Sequence, residues 1–197
     1  MPQELEIEFK NMLTEKEYHD LYTAFDMDSP VSQTNHYFDT PLFQLKEARS
    51  ALRIREKDGK LTLTLKQPVE EGLLETHQPV SSLDLEDMLS GGGLVGGEIA
   101  EMLELMNISP KQIVHFGSLQ TNRSETPYKN GLLVLDHSSY LGIEDYELEY
   151  EVTSHDEGKE NFLSLLTAYK IPVRETDNKI KRFYKARLMQ NREGGKS

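Results

Sequence analysis

Hydrophobic and polar residues alternate without a break from Glu4 to Lys10: Leu5, Ile7 and Phe9 face one way, and Glu4, Glu6, Glu8 and Lys10 the other. A period of two predicts a strand with one apolar and one polar face. Thr14-Glu15-Lys16-Glu17 has the capping-box pattern and predicts a helix to about Phe25, ended by Asp28-Ser29-Pro30. Asn35 to Asp39 reads as a short aromatic strand. Ala51 to Lys57 and Lys60 to Gln67 both alternate and flank Asp58-Gly59, a hairpin signal. Leu73 to Val80 is a further strand. Gln112 to Arg123 and Leu132 to Tyr140 are strands joined across Lys129-Asn130-Gly131. Tyr146 to Thr153 alternates again, and Glu160 to Lys170 is an amphipathic helix. Asp177 to Leu188 is basic and reads as strand-like, then helical. Strands outnumber helices and tight turns join several of them, which predicts an α+β protein with an antiparallel sheet.

Leu83 to Leu89 and Glu98 to Met106 read as two short helices separated by a glycine-rich break, Gly91 to Gly97. The break contains a literal G-x-G-x-x-G from Gly91 through Gly93 to Gly96. A dinucleotide fingerprint needs a strand before it in a parallel βαβ unit. A helical pattern precedes this one, so the segment reads as a connector. No repeat and no linker divides the chain, and residues 1–190 are expected to form one domain, with 191–197 a flexible tail.

Composition narrows the function. The chain has 197 residues with 37% hydrophobic and 28% charged side chains and a formal net charge of -12. Such a surplus of negative charge repels nucleic acid and anionic lipid, so neither is an expected partner. Cysteine is absent, which removes disulfides and thiolate metal sites and fits a reducing compartment. The acidic, alternating start is unlike a signal peptide, and no apolar run approaches the roughly 20 residues of a membrane span. A cytoplasmic protein, monomeric or homodimeric, is expected. The histidines show no ligand spacing.

Charge on the predicted strands is segregated by sign. Glu4, Glu6 and Glu8 share one polar face with Lys10; Glu147, Glu149 and Glu151 share another; Arg53 and Arg55, then Thr62, Thr64 and Lys66, line the hairpin. Residues i and i+2 on a strand lie roughly 6.7 Å apart. Two carboxylates at that distance repel by about 2.5 kcal/mol at an effective dielectric of 20 and about 0.6 kcal/mol in water. Rows of them call for cations, either metal ions or the basic side chains of neighbouring strands. An all-oxygen ligand set favours Mg²⁺ or Mn²⁺, and Arg and Lys rows suit phosphate oxygens. The residues by themselves thus point to a site for a metal-bound polyphosphate.

Glu6-Ile-Glu8-Phe-Lys10 resembles the E-x-E-x-K signature of the CYTH family, the triphosphate tunnel metalloenzymes, which include class IV adenylyl cyclases, thiamine triphosphatases and inorganic triphosphatases. Tyr37-Phe38-Asp39-Thr40 resembles the family's Y-F-D-T segment, Ala51-Leu52-Arg53-Ile54-Arg55 its A-L-R-I-R strand and Leu63-Thr64-Leu65-Lys66 its L-T-x-K strand. Arg123, Asp136, the Glu147 to Glu151 strand and the Lys179-Ile-Lys181-Arg182 run follow in the family order. The resemblance spans about residues 3 to 188. It implies an eight-stranded antiparallel barrel with flanking helices and a charged lumen. It implies metal ligands at Glu6, Glu8, Glu149 and Glu151, with Glu147 an alternative of the same strand parity. Arg53, Arg55, Lys66, Arg123, Lys181 and Arg182 become triphosphate ligands, with Lys179 competing with Lys181 by parity. Lys10, with Tyr37, is implied to position or activate the nucleophile. Glu4, Glu75 and Asp136 are placed behind the ligands. The implied activity is a Mg²⁺- or Mn²⁺-dependent triphosphatase acting on inorganic triphosphate, thiamine triphosphate or ATP. An adenylyl cyclase and a non-catalytic polyphosphate- or nucleotide-binding module are the alternatives.

Overall fold

The alternating start forms β1 (Gln3–Leu13), and the capping box that follows it forms as read. Thr14 Oγ1 accepts from the Glu17 amide at 3.2 Å, and Glu17 Oε2 accepts from the Thr14 amide at 2.7 Å, opening α1 (Glu15–Ala24). The computed structural model describes residues 3–70, 72–94 and 96–194. The chain continues through β2 (Val31–Asp39), α2 (Gln44–Glu47), β3 (Ala51–Lys57), β4 (Lys60–Pro68), β5 (Leu73–Pro79), α3 (Ser82–Leu89) and α4 (Glu98–Leu105). It then forms β6 (Val114–Tyr128), β7 (Gly131–Tyr140), β8 (Ile143–Val152), α5 (His155–Ala168) and α6 (Lys179–Gly194). The strands make a closed antiparallel barrel in the order β1-β5-β4-β3-β2-β6-β7-β8. Among the described residues no helix is long and apolar enough to cross a membrane.

Packing divides the chain into two compact units, Met1–Ile7 with Gln33–Ser118, and Glu8–Ser32 with Leu119–Ser197. In the first, β3 and β4 turn across Asp58-Gly59, both at positive φ (51° and 70°), as a type I′ hairpin requires. Leu52, Ile54, Leu63 and Leu65 point to one face and are fully buried with Phe38, Leu45 and Met88, and with Ile99 and Leu103 of α4. Arg53, Arg55, Thr64 and Lys66 point to the other. The Tyr37-Phe38-Asp39-Thr40 segment closes this sheet and starts the next loop. Asp39 is buried, and its carboxylate accepts from the amides of Thr40 (2.7 Å), Leu45 (2.9 Å) and Lys46 (3.1 Å), which folds the chain into α2. The glycine-rich break joins α3 to α4 with no strand before it, so the dinucleotide fingerprint lacks its context; Val95 within it lies outside the described residues.

In the second unit β6, β7 and β8 form a meander. Leu133, Leu135, Leu148 and Tyr150 turn to one face and pack with Leu21 of α1 and Phe162, Leu165 and Leu166 of α5. Arg123, Asp136 and Glu147 occupy one cross-strand row on the opposite face. Leu141 and Gly142, at φ 50° and 76°, form a second tight turn between paired Tyr140 and Ile143. The strand expected from Tyr146 therefore begins at Ile143, and its acidic row gains Asp145. β6 begins later than expected, because Pro110–Gln112 is a 3₁₀ turn, and runs past Arg123 to Tyr128.

The C-terminal segment differs most from its sequence reading. It is a helix from Lys179, not a strand that becomes one. Of residues 191–197, expected to be a tail, 191–194 continue α6 and 195–197 lie outside the described residues. The chain reaches α6 through a buried tie to β1. Asn11, fully buried, donates to the carbonyls of Met12 (3.0 Å) and Pro172 (3.1 Å) and accepts from the Arg174 amide (2.7 Å). Arg174 in turn donates to Met12 O (2.8 Å) and to both carboxylate oxygens of Glu17 (2.8 and 2.9 Å). Replacing Asn11 by leucine keeps the branched four-atom outline of the side chain and strands the Arg174 amide. Asn11→Leu should lower the unfolding free energy by about 1–3 kcal/mol, the usual cost of a buried polar group left without a partner. The check is a lower urea midpoint at unchanged slope; an unchanged midpoint would show that the tie carries no stability.

Candidate active site

On the face turned away from the hydrophobic cluster, each unit gathers ionic side chains. In the first, β4 and β5 place Lys66 opposite Glu75. The Lys66 ammonium pairs with Glu75 and lies 2.6 Å from Glu6 Oε2. Burial opposes the charge on Glu75, but the Lys66 ammonium and Arg53 guanidinium more than offset it and hold its pKa down to about 2. Arg53 sits opposite Tyr37 and Thr64 in register, and its Nε is buried with no hydrogen-bond partner among the described residues. Arg55 Nε donates to Asn35 Oδ1 at 3.3 Å. Tyr37 is buried and stacked on Phe116, with ring centroids 6.1 Å apart. Glu4 is exposed at the outer end of β1, in register with Glu75.

The second cluster is denser. Arg123 Nε and Nη2 grip Asp136 in bidentate fashion at 2.8 and 2.7 Å, and Nη2 also reaches Glu149 at 2.6 Å. Glu151 lies 3.6 Å from the same guanidinium. Lys179, the first residue of α6, lies 2.7 Å from Asp136 and 2.5 Å from Glu147 and pairs with Glu149. One turn along the helix, Arg182 pairs with Glu147 and with Asp145 at 3.0 Å, while Tyr140 OH donates to Asp145 at 2.7 Å. Lys10 pairs with Glu8, its neighbour on the same strand face. Asp136, Glu147 and Glu149 are all buried, and each offers an oxygen within 4.8 Å of the others. Three carboxylates so placed, with no sulfur or nitrogen donor among them, suit a hard divalent cation.

The charges in this cluster are unequally held. Burial works against ionised Glu149, but Lys179 and Arg123 outweigh it and keep its carboxyl well below the usual range. Burial pushes Glu147 up, and the charge of Glu149 adds to that push against the pull of Lys179. Burial also opposes the charge of Lys10, yet Glu8, Glu149 and Glu147 together raise its pKa. Lys10 therefore stands as an ammonium, a donor and not a base.

Compared with the sequence reading, the structure brings Glu147 and Glu149 together with Asp136, which lies within the acidic group and not behind it. Glu8 joins this cluster through Lys10, and Glu6 belongs to the Lys66 cluster of the first unit. Arg182 is turned inward. Lys181 is exposed and paired with Asp177 at 2.5 Å. Strand parity had made Lys179 and Lys181 equivalent, but on a helix residues two apart point to different sides and residues three apart share one. Lys179 and Arg182 are thus the inward pair. Asp145 was missed because the turn at Leu141-Gly142 was; the unbroken i, i+2 row from Asp145 to Glu151 was the available signal. His77 was also missed. It shares the inward face of β5 with Glu75, with Nδ1 3.0 Å from Thr64 Oγ1 and Nε2 3.5 Å from Glu75, and its parity with Glu75 was the signal.

Comparison with known proteins identifies the family to which the chain belongs. The family model for the CYTH domain matches residues 4–184. The "Putative triphosphatase YjbK" of Bacillus subtilis is 49% identical over 186 residues, covering 93% of this chain and 96% of that protein. A crystal structure from Bacillus halodurans, of a "putative adenylate cyclase (bh2851)", is 42% identical with a TM-score of 0.88, covering 93% of this chain and 100% of that one. HpAC1 of Hippeastrum shares the fold at 23% identity and a TM-score of 0.76, covering 92% and 96%. With the E-x-E-x-K strand, the basic hairpin and the acidic β8 row all inside the matched span, the chain belongs to the CYTH domain family.

Proposed function

We propose that this protein is a metal-dependent triphosphatase whose first substrate is inorganic triphosphate. The observation that carries this reading is the opposite charge balance of the two clusters. In the second unit Glu8, Asp136, Asp145, Glu147, Glu149 and Glu151 face Lys10, Arg123, Lys179 and Arg182, leaving a surplus of negative charge that suits one divalent cation. In the first, Arg53, Arg55 and Lys66 face Glu6 and Glu75, and Arg53 Nε has no acceptor among the described residues, which suits an anion. A metal-bound polyphosphate is the substrate class that calls for both kinds of group.

Asp136, Glu147 and Glu149 would hold the divalent ion, with Glu8 and Glu151 beside them. The ion, Mg²⁺ or Mn²⁺ for an all-oxygen set, would supply charge neutralisation to the phosphate oxygens. Arg53 and Arg55 would donate to the phosphate chain in bidentate fashion and Lys66 as a point charge. Phosphoryl transfer spreads negative charge over the equatorial oxygens, and fixed donors stabilise it best. Lys10, held as an ammonium, would donate to the terminal phosphate or orient the attacking water. Tyr37 would act on Arg53 by packing beside it, being closed against Phe116. The inward groups are mainly ionic or hydroxylic, which fits a substrate with no base or sugar. A second reading is an adenylyl cyclase, favoured by the description of the 42% identical B. halodurans protein.

Phosphate release from inorganic triphosphate, ATP and thiamine triphosphate, each with Mg²⁺, Mn²⁺ or chelator, tests the reading. Metal-dependent release, fastest from inorganic triphosphate, is expected; cAMP and pyrophosphate from ATP without that release would establish the cyclase. Glu149→Gln should lower metal-dependent turnover by about two orders of magnitude, since it removes a charge that binds both Arg123 and Lys179 and would ligate the ion. Arg53→Ala should lower kcat/KM by roughly 10- to 100-fold, the worth of hydrogen bonds to a charged group at about 1.5–3 kcal/mol. A rise in KM alone would mark Arg53 as a uniform binder, and a fall in kcat as a transition-state donor.

A further inference from the structure

Lys179 fills the one acidic group that, among the described residues, is close enough to hold a metal. Its Nζ lies 2.7 Å from Asp136 Oδ2 and 2.5 Å from Glu147 Oε1 and pairs with Glu149 Oε1, so all three ammonium hydrogens have a carboxylate partner. Lys181 and Lys185, on the same helix, turn out to solvent and to Asp177. Lys179 is also the first residue of α6, preceded by a segment without regular structure, while Arg182 one turn later fastens the helix to Asp145 and Glu147. A flexible four-carbon stem at a helix start can leave its partners without moving the helix.

A divalent ion needs oxygens at about 2.0–2.6 Å. An ammonium hydrogen-bonded to the same three carboxylates stands where such an ion would sit, and two cations that close repel strongly in a poorly solvated site. We propose that Lys179 is the resident counter-cation of the metal site. Its ammonium and a divalent ion take the Asp136–Glu147–Glu149 group in alternation, and the lysine so released becomes a donor to anions. This rests on the metal-dependent reading above and adds a regulation to it. Metal bound without a polyanion must displace Lys179 into water, whereas metal bound with one gives Lys179 a new partner. Metal and polyphosphate therefore favour each other's binding, by equal factors.

Two measurements on the full chain test this without measuring turnover. Free Mn²⁺ is counted by electron paramagnetic resonance in the absence of phosphate. Lys179→Met should bind Mn²⁺ at least about tenfold more tightly than the parent protein, and Lys185→Met, a charge control on the exposed side of α6, should bind it as the parent does. Equal or weaker binding by a folded Lys179→Met, or an equal gain in Lys185→Met, would overturn the proposal. Acylation of the unsubstituted protein, mapped by mass spectrometry, covers the case in which Lys179→Met does not fold. Labelling of Lys179 should rise at least about fivefold with saturating Mn²⁺ over chelator, as expected when a buried ion pair opens; labelling that Mn²⁺ leaves unchanged would refute the exchange. A protein that exchanges Lys179 for Mn²⁺ yet releases phosphate from no triphosphate would keep this inference and lose the proposed function. A protein that hydrolyses triphosphate with Lys179 protected throughout would do the reverse.

Discussion

Buried carboxylates must be neutralised from within the protein, and much of this structure follows from that requirement. Asp136 and Glu147 are fully buried and Glu149 nearly so. Taking each such charge out of water costs on the order of several kcal/mol unless partners are placed with good geometry. Arg123 answers for Asp136 from the neighbouring strand, through a row that the β6–β7 register creates. Glu147 and Glu149 are answered chiefly from outside the sheet, by Lys179 and Arg182 at the start of α6. The helix start is therefore part of the ionic cluster, and the tie from Asn11 to the 172–174 segment serves the same end. It fastens the chain just before the two cations that the acidic row needs.

Neutralisation is deliberately incomplete in a chemical sense. In the cluster of the second unit the anions outnumber the cations; burial, with the charge of Glu149 added to it, pushes the Glu147 carboxyl up, while Lys179 and Arg123 hold Glu149 down. In the cluster of the first unit Arg53, Arg55 and Lys66 outnumber Glu6 and Glu75, and Arg53 Nε has no hydrogen-bond partner among the described residues. Residual charge of this kind works against folding, because a group with no partner gains less than it loses on burial. Its retention in each cluster is consistent with the proposed binding of a metal-bound polyphosphate. The same logic gives Lys10 its character. Raised by three glutamates, it keeps its proton, and any part it plays in phosphoryl transfer is that of a charge and a donor.

The fold was largely legible because strand alternation repeats with period two and four of the strands, β1, β3, β4 and β8, carry that alternation plainly. Glu4 to Lys10, Ala51 to Gln67 and Tyr146 to Thr153 show it, and the Asp58-Gly59 turn is written in residues that tolerate positive φ. Leu141-Gly142 was harder to read, since leucine is no turn signal, and with it went the first three residues of β8 and Asp145. The acidic and basic rows were legible as rows. Their members could not be ranked, since parity leaves Glu147, Glu149 and Glu151 equivalent on one strand.

What the sequence by itself determined was the set of alternating strands, their sign-segregated polar faces, the absence of thiolate chemistry and, through the order of its motifs, the family. These are local or compositional properties, set by the spacing of residue types along the chain. Only the tertiary structure decided which charges meet. It placed Asp136 among the acidic group by cross-strand register, sent Lys181 to solvent and Lys179 inward by making their segment a helix, and drew Arg182 onto Asp145. Each of those outcomes depends on the rotation of one element against another, a long-range quantity fixed by the packing of both faces of the sheet and carried by no single stretch of residues.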